Sequence, residues 1–191
     1  MKSTMDYTLL DFQPHGDDRG QLTVIESGKD IPFDVERVFY IYSVEGDVRR
    51  GFHALRDTDQ VLVCVRGRCK ILLDDGTAGD TEGGAEGDTT GDGTAGDTTG
   101  DGAGDGTADD TADGMRGGAD GGKVVVSLDD PQKGLLVPAH LWREMFDFSP
   151  DAMLLVLASG PYAESDYIRN YEDFLAYTAE LRKTGNSEEI D

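Results

Sequence analysis

The chain has 191 residues, enough for one good core, and carries 39 acidic against 17 basic residues, a formal net charge of −22. Such a surface repels polyanions, so neither nucleic acid nor an anionic membrane is expected as a partner. The acid surplus and scarcity of lysine suit a protein kept soluble in high salt, where screening weakens self-repulsion, and a halophilic setting is expected. No run reaches the roughly 18 apolar residues of a membrane span. "MKSTMDYTLLDF" carries early acids and lacks the apolar run of a signal peptide, which predicts a cytoplasmic protein.

In chain order, short strands are predicted over "GQLTVIES", "ERVFYIYSV", "RGFHALR", "DQVLVCVRG" and "CKILLDD", each bounded by Gly, Pro, Asp or Ser. The turn Arg66-Gly67-Arg68 puts Cys64 and Cys69 on neighbouring strands. A disulfide and a pair of small buried hydrophobes both fit that placement. From Gly76 to Gly122 there is no Leu, Ile, Val or aromatic, and nothing there can offset the entropy of ordering. The spacing of acids matches neither an EF-hand loop nor a calcium β-roll, so residues 77–121 read as a disordered, solvated acidic insert.

Removing the insert joins "RCKILLDDG" to "GKVVVSLDD", a hairpin with an Asp-Gly turn whose tip has been expanded. Strands follow at "KVVVSLDD", "GLLVPAH", "REMFDFS" and "AMLLVLAS". "ESDYIRNYEDFLAYTAELRKTG" is predicted helical, with Tyr167, Ile168, Tyr171, Phe174 and Leu175 on one stripe and Gly185 as its stop. The sum is an all-β chain. It predicts a single domain over residues 1–191, a cupin or jelly-roll β-barrel closed by a C-terminal helix. Such barrels take small ligands into their mouths.

Side chains alternate along "RGFHALR", so Gly51, His53 and Leu55 share one face. Metal-binding cupins carry His-x-His there, then a glutamate on the next strand and a further histidine after a Pro-x-Gly turn. Here those places hold His53, Leu55, Gln60 and Arg143. A guanidinium cannot ligate and one imidazole cannot hold a divalent ion, so no metal and no other cofactor is expected. An interior that offers Arg143 and Gln60 beside a histidine calls for an anionic or sugar-like ligand, because such groups are costly to bury unpaired. A metal-free imidazole suits proton abstraction next to a carbonyl, with Arg143 or a tyrosine stabilising the enolate oxygen.

"RGFHA", "QVLVCVRGRCKILLDDG", "LVPAHLWREMFDFS" and "LLVLASGPYAESDYIRNYEDF", with "DDRGQL" and "IPFDVERVFYI", closely resemble the WxcM-like sugar-nucleotide cupins, the dTDP-4-keto-6-deoxyglucose 3,4-ketoisomerases. The similarity spans nearly everything outside 76–122 and the tails. It implies a homodimeric barrel, working without metal, that moves the keto group of a dTDP-linked 4-keto-6-deoxy sugar from C4 to C3. By position the resemblance makes His53 the catalytic acid/base and puts Arg19 and Arg143 around the sugar; Gln60, a polar group of the barrel interior, is a further expected substrate contact. Arg50 and Tyr40 become contacts for sugar or diphosphate. Trp142 either packs under its loop or stacks on thymine.

Three departures stand out. Leu55 replaces the family's second histidine, Phe39 replaces one of a tyrosine pair, and His140 stands where the Pro-x-Gly turn usually has glycine. His140 is either a substitute acid or an exposed loop residue, and His15 has no supporting pattern. Two other functions stay open: a sugar-nucleotide binder without turnover, and a 3,5-epimerase, although no histidine–aspartate dyad is identified for the latter.

Overall fold

The computed structural model describes residues 5–45, 47–77 and 122–185. Its strands are β1 (Thr8–Asp11), β2 (Pro14–Asp17), β3 (Gly20–Thr23), β4 (Arg37–Tyr42), β5 (Arg50–Leu55) and β6 (Gln60–Arg66). They continue as β7 (Cys69–Asp74), β8 (Lys123–Leu128), β9 (Lys133–Val137), β10 (Trp142–Phe146), β11 (Met153–Ala158) and β12 (Tyr167–Ile168), before helix α1 (Tyr171–Gly185). Two five-stranded antiparallel sheets result, ordered β1-β9-β6-β11-β4 and β12-β5-β10-β7-β8, and β2-β3 forms a separate hairpin. Between β4 and β11 every connection except the β7–β8 hairpin crosses from one sheet to the other. That is the jelly-roll barrel the strand pattern predicts.

Alternation builds the core. Leu62 and Cys64 from β6, Ile71 and Leu73 from β7, Leu135 from β9 and Leu154 from β11 all point between the sheets and are buried. β6 is buried on its other face as well. Val61 and Val63 lie beneath Phe12 and Ile31, which the N-terminal segment lays over the first sheet. Cys64 and Cys69 are free thiols inside the core, so they act as the small buried hydrophobes of the two alternatives.

The helix begins later than its periodicity suggests. Asn170 caps it, accepting from the backbone N–H of Glu172 at 2.8 Å and of Asp173 at 3.1 Å. Ahead of the cap, Glu164–Asp166 forms a 3-10 turn, and Tyr167–Ile168 is extended and pairs with Leu55 and Ala54. The Tyr-Ile dipeptide mimics a helical stripe, but a strand partner and a good cap residue override it. Beyond the cap α1 lays Phe174 over Ala54, Trp142 and Ile168, outside the second sheet. Among the described residues no helix is long and apolar enough to cross a membrane.

The expected disordered insert, residues 77–121, lies outside the described residues except for Thr77. Its roots are well held. β7 and β8 pair from Cys69 opposite Leu128 to Asp74 opposite Lys123, and the Asp75 N–H donates to the Gly122 carbonyl at 3.0 Å. Tyr171 donates its hydroxyl to Asp74 at 2.6 Å, and Arg182 donates to the carbonyls of Asp75 and Gly76, each at 3.1 Å. Deleting residues 77–121 and joining Gly76 to Gly122 is therefore expected to leave a cooperative melt, with stability changed by about 1–2 kcal/mol at most, because loop-closure entropy grows slowly with length. Loss of that transition in calorimetry would make the insert structural.

Candidate active site

The site starts from a bulge. β5 and β10 pair with Arg143 opposite His53 and Glu144 opposite Gly51, and the register shifts between them to absorb one extra residue. Gly51 takes φ +93° and Phe52 φ +53°. A Cβ on Gly51 would lie 2.7 Å from the Arg143 carbonyl oxygen, so glycine is required at this close approach. Past the bulge, Ala54 faces the helix while His53 faces the barrel interior.

A cavity of about 180 Å³ opens there, bordered on its polar side by His53, Gln60, Arg50, Tyr167 and Arg169. Phe39, Ile41 and Leu62 form part of its apolar wall. The volume is below the roughly 300–1,000 Å³ of pockets that enclose drug-sized ligands, and suits one sugar ring. The cations gathered here contrast with the −22 of the whole chain, so the cavity is the place where an anionic ligand meets a favourable field.

Burial lowers the His53 imidazole to about 4, helped by the positive charge of Arg143 and, more weakly, of Arg169 and Arg37; a hydrogen bond with the Gly51 backbone opposes them. His53 is thus neutral at physiological pH. Its ring lies 5.0 Å from that of Tyr167. The depressed value carries a stability consequence. Between about pH 4 and the ordinary 6.5 the unfolded chain holds a proton on this residue that the fold does not, so lowering the pH through that window destabilises the fold. Urea midpoints should fall more steeply between pH 6.5 and 4.5 in the wild type than in His53→Asn. Parallel curves would contradict a depressed imidazole.

Gln60 is almost wholly buried, and its Oε1 accepts from Arg143 Nη1 at 2.7 Å. Its amide NH₂ is the end left to meet a ligand in the cavity. Arg143 itself does not reach the cavity, contrary to the expectation that it contacts sugar. It is fully buried, and its remaining donors go to the carbonyls of Leu141, at 3.0 and 3.3 Å, and Pro138, at 3.4 Å. Burial pushes its guanidinium down to about 10, still protonated at neutral pH. It anchors Gln60 and sets the field at His53 from behind.

Other expected residues separate from the cavity. Arg19 sits in the β2–β3 turn, 86% exposed and bound to Asp17, and the shallow depression around it shares no residue with the His53 cavity. Tyr40 points to the outer face of β4 and packs on Tyr42 at 5.5 Å, because alternation sends Phe39 and Ile41 inward instead. Leu55 is completely buried and takes no part in the cavity wall. Trp142 is buried against Tyr171 and Phe174, which leaves packing as its role and no face for thymine.

His140 adopts φ +74°, the left-handed conformation that explains why glycine is usual in this turn, and its Nδ1 lies 3.1 Å from the Tyr177 hydroxyl. It lies outside the cavity wall, as does His15. Sequence reasoning missed Tyr167 and Arg169, having assigned both to the helix. Asn170, a strong cap residue just after them, was the available signal. Arg169 lies over the Tyr167 ring at 4.4 Å and is held by Glu164 at 2.8 and 3.1 Å.

Among the described residues no three His, Cys, Asp or Glu side chains gather to hold a metal ion. A jelly-roll barrel with a neutral histidine in a small arginine-rich cavity defines a ligand-binding cupin. The sequence matches the family described as FdtA, WxcM-like, C-terminal, over residues 5–82 and 119–179, a match that skips most of the acidic insert. It is 34% identical over 177 residues, 93% of this chain and 96% of the other, to the TDP-4-oxo-6-deoxy-alpha-D-glucose-3,4-oxoisomerase of Aneurinibacillus thermoaerophilus.

Its fold resembles that of a 3,4-ketoisomerase from Helicobacter canadensis, with TM-score 0.67 and 32% identity over 92% of this chain and 98% of that one. It also resembles a His-to-Asn variant of the 3,4-ketoisomerase QdtA from Thermoanaerobacterium thermosaccharolyticum in complex with TDP-4-keto-6-deoxyglucose, with TM-score 0.66 and 32% identity over 92% and 95% of the two chains. The chain belongs to the WxcM-like family.

Proposed function

We propose that the protein is a sugar-nucleotide 3,4-ketoisomerase that moves the keto group of a dTDP-linked 4-keto-6-deoxyhexose from C4 to C3, with His53 as the acid/base. The observation that carries this reading is the neutral His53 in a sugar-sized cavity, in a chain whose relatives are named for that reaction. His53 takes the proton from C3, and the electrons of that C–H bond form the C3–C4 double bond while the carbonyl electrons move to O4. The hydroxyl proton passes from O3 to O4. His53 returns its proton to C4, and the C3 carbonyl forms. Burial helps twice: it keeps the base unprotonated, and it keeps water from the enediolate.

The cationic surroundings favour the anionic intermediate more than the neutral ketone, which is the differential binding catalysis requires. Gln60 supplies an amide donor to a sugar oxygen, and Arg50 contacts diphosphate where the nucleotide leaves the cavity. Arg143 acts on the reaction only through Gln60 and through its field. Leu55 in place of a second imidazole keeps a binder without turnover in view. Incubation with TDP-4-keto-6-deoxyglucose and NMR of the product separates the readings: a 3-keto sugar supports isomerisation, a C5-inverted sugar means an epimerase, and unchanged substrate means a binder.

The proposed chemistry needs no metal. Added zinc or manganese, or a chelator, is expected to leave turnover unchanged, and inactivation by chelator with recovery on adding metal would refute this. A cytoplasmic, single-domain homodimer completes the proposal. It is supported by free buried cysteines and by Val38, Tyr40 and Tyr42 exposed together on β4. A monomeric mass by light scattering removes the dimer. High-salt adaptation is supported by the −22 charge and would show as a melting temperature rising with potassium chloride.

A further inference from the structure

We propose that Arg37 is a further substrate-contacting residue, whose Nε–Nη2 edge takes the two neighbouring oxygens at C3 and C4 of the sugar as the enediolate forms. The proposal rests on the isomerase reading above. Among the described residues, the Nε and Nη2 of Arg37 are the only buried side-chain nitrogens or oxygens without a hydrogen-bond partner. A guanidinium offers two parallel N–H donors along that edge, spaced for a pair of oxygens. Two other arginines here use the same edge in that way. Arg169 grips both oxygens of Glu164 at 2.8 and 3.1 Å, and Arg19 holds Asp17 with its Nε on Oδ1 and its Nη2 on Oδ2. Arg37 has the fork and nothing to fill it.

Its position says what fills it. Arg37 opens β4 on the face it shares with Phe39 and Ile41, both of which line the His53 cavity. Its guanidinium contacts two rings, 5.5 Å from the centre of Phe39 and 5.8 Å from that of Tyr162. Its charge is among those acting on His53. Arg37 is not itself among the residues that border the cavity but stands beside Phe39 of its wall, so a sugar whose C3 faces His53 meets the unfilled edge when Tyr162 moves aside. Arg50 and Arg169 border the same cavity and remain for the diphosphate. The unpaired edge has already lost its water, so meeting two oxygens costs the protein no further dehydration. Tyr162, 63% exposed, is the ring that can move to admit them.

Arg37→Gln and Arg37→Lys test this with three readouts. Turnover of TDP-4-keto-6-deoxyglucose should lose about 10²–10³-fold in kcat/KM in Arg37→Gln, as for a lost oxyanion donor. Arg37→Lys, which keeps the charge but not the fork, should lie nearer to Gln than to wild type. Affinity for TDP alone, by calorimetry, should be unchanged. The melting temperature should not fall, since the edge makes no hydrogen bond in the free protein. Near-normal turnover overturns the proposal. So does a parallel loss of TDP affinity, which would move Arg37 to the diphosphate, and so does unfolding of both variants. If the wild type does not isomerise, the isomerase reading fails while Arg37 can still be tested: the tighter binding of the sugar nucleotide over TDP should then disappear in Arg37→Gln, and its persistence overturns the contact.

Discussion

His53→Asn is expected to abolish isomerisation while leaving the fold and TDP binding in place. Asparagine fills similar space but cannot accept the C3 proton, and general acid–base catalysis is typically worth about 10²–10⁴-fold, so the loss should be at least of that order. No other histidine lines the cavity to take over: His140 is engaged with Tyr177 and His15 lies on the β2–β3 hairpin. In heavy water the wild type should deliver deuterium to C4, in part only, because a half-buried imidazole returns some of its own proton. Leu55→His should alter rate or labelling without creating the activity, since position 55 is buried behind the cavity wall. Near-normal turnover in His53→Asn would sink the assignment of the base.

Arg143→Ala should produce the largest loss of stability of any single change near the site, about 3 kcal/mol or more, by combining a cavity with stranded partners. The Gln60 Oε1 and the Leu141 carbonyl would both lose their donors inside the barrel. Arg143→Met, which keeps most of the volume, separates charge from packing. Burial is the first cause of the low His53 value and the Arg143 charge the second. The imidazole should therefore titrate above about 4 in Arg143→Met, when followed by NMR. An unmoved titration would leave burial as the whole cause, and a melting temperature kept by Arg143→Ala would deny its anchoring role.

The barrel, the helix that closes it, the hairpin around the insert and His53 as the base to consider are all legible in the chain's residues. These follow from local rules: period-two alternation, turn residues, and the chemistry of one imidazole among groups that cannot ligate. Tertiary structure decided the rest, because the deciding contacts join residues far apart in the chain. Tyr40 and Phe39 are adjacent, and only the packing of β4 on β11 says which ring enters the cavity. Arg143 looked like a ligand contact by its position in "WREM". Whether a guanidinium meets substrate or carbonyls depends on what the opposite sheet sets before it, here Gln60 from β6. Tyr167 and Arg169 carried a helical period until Ala54 and Leu55 offered a strand partner and Asn170 capped the helix behind them. The unfilled fork of Arg37 has no sequence signal at all, since lacking a partner is a property of the packed surroundings and not of the residue.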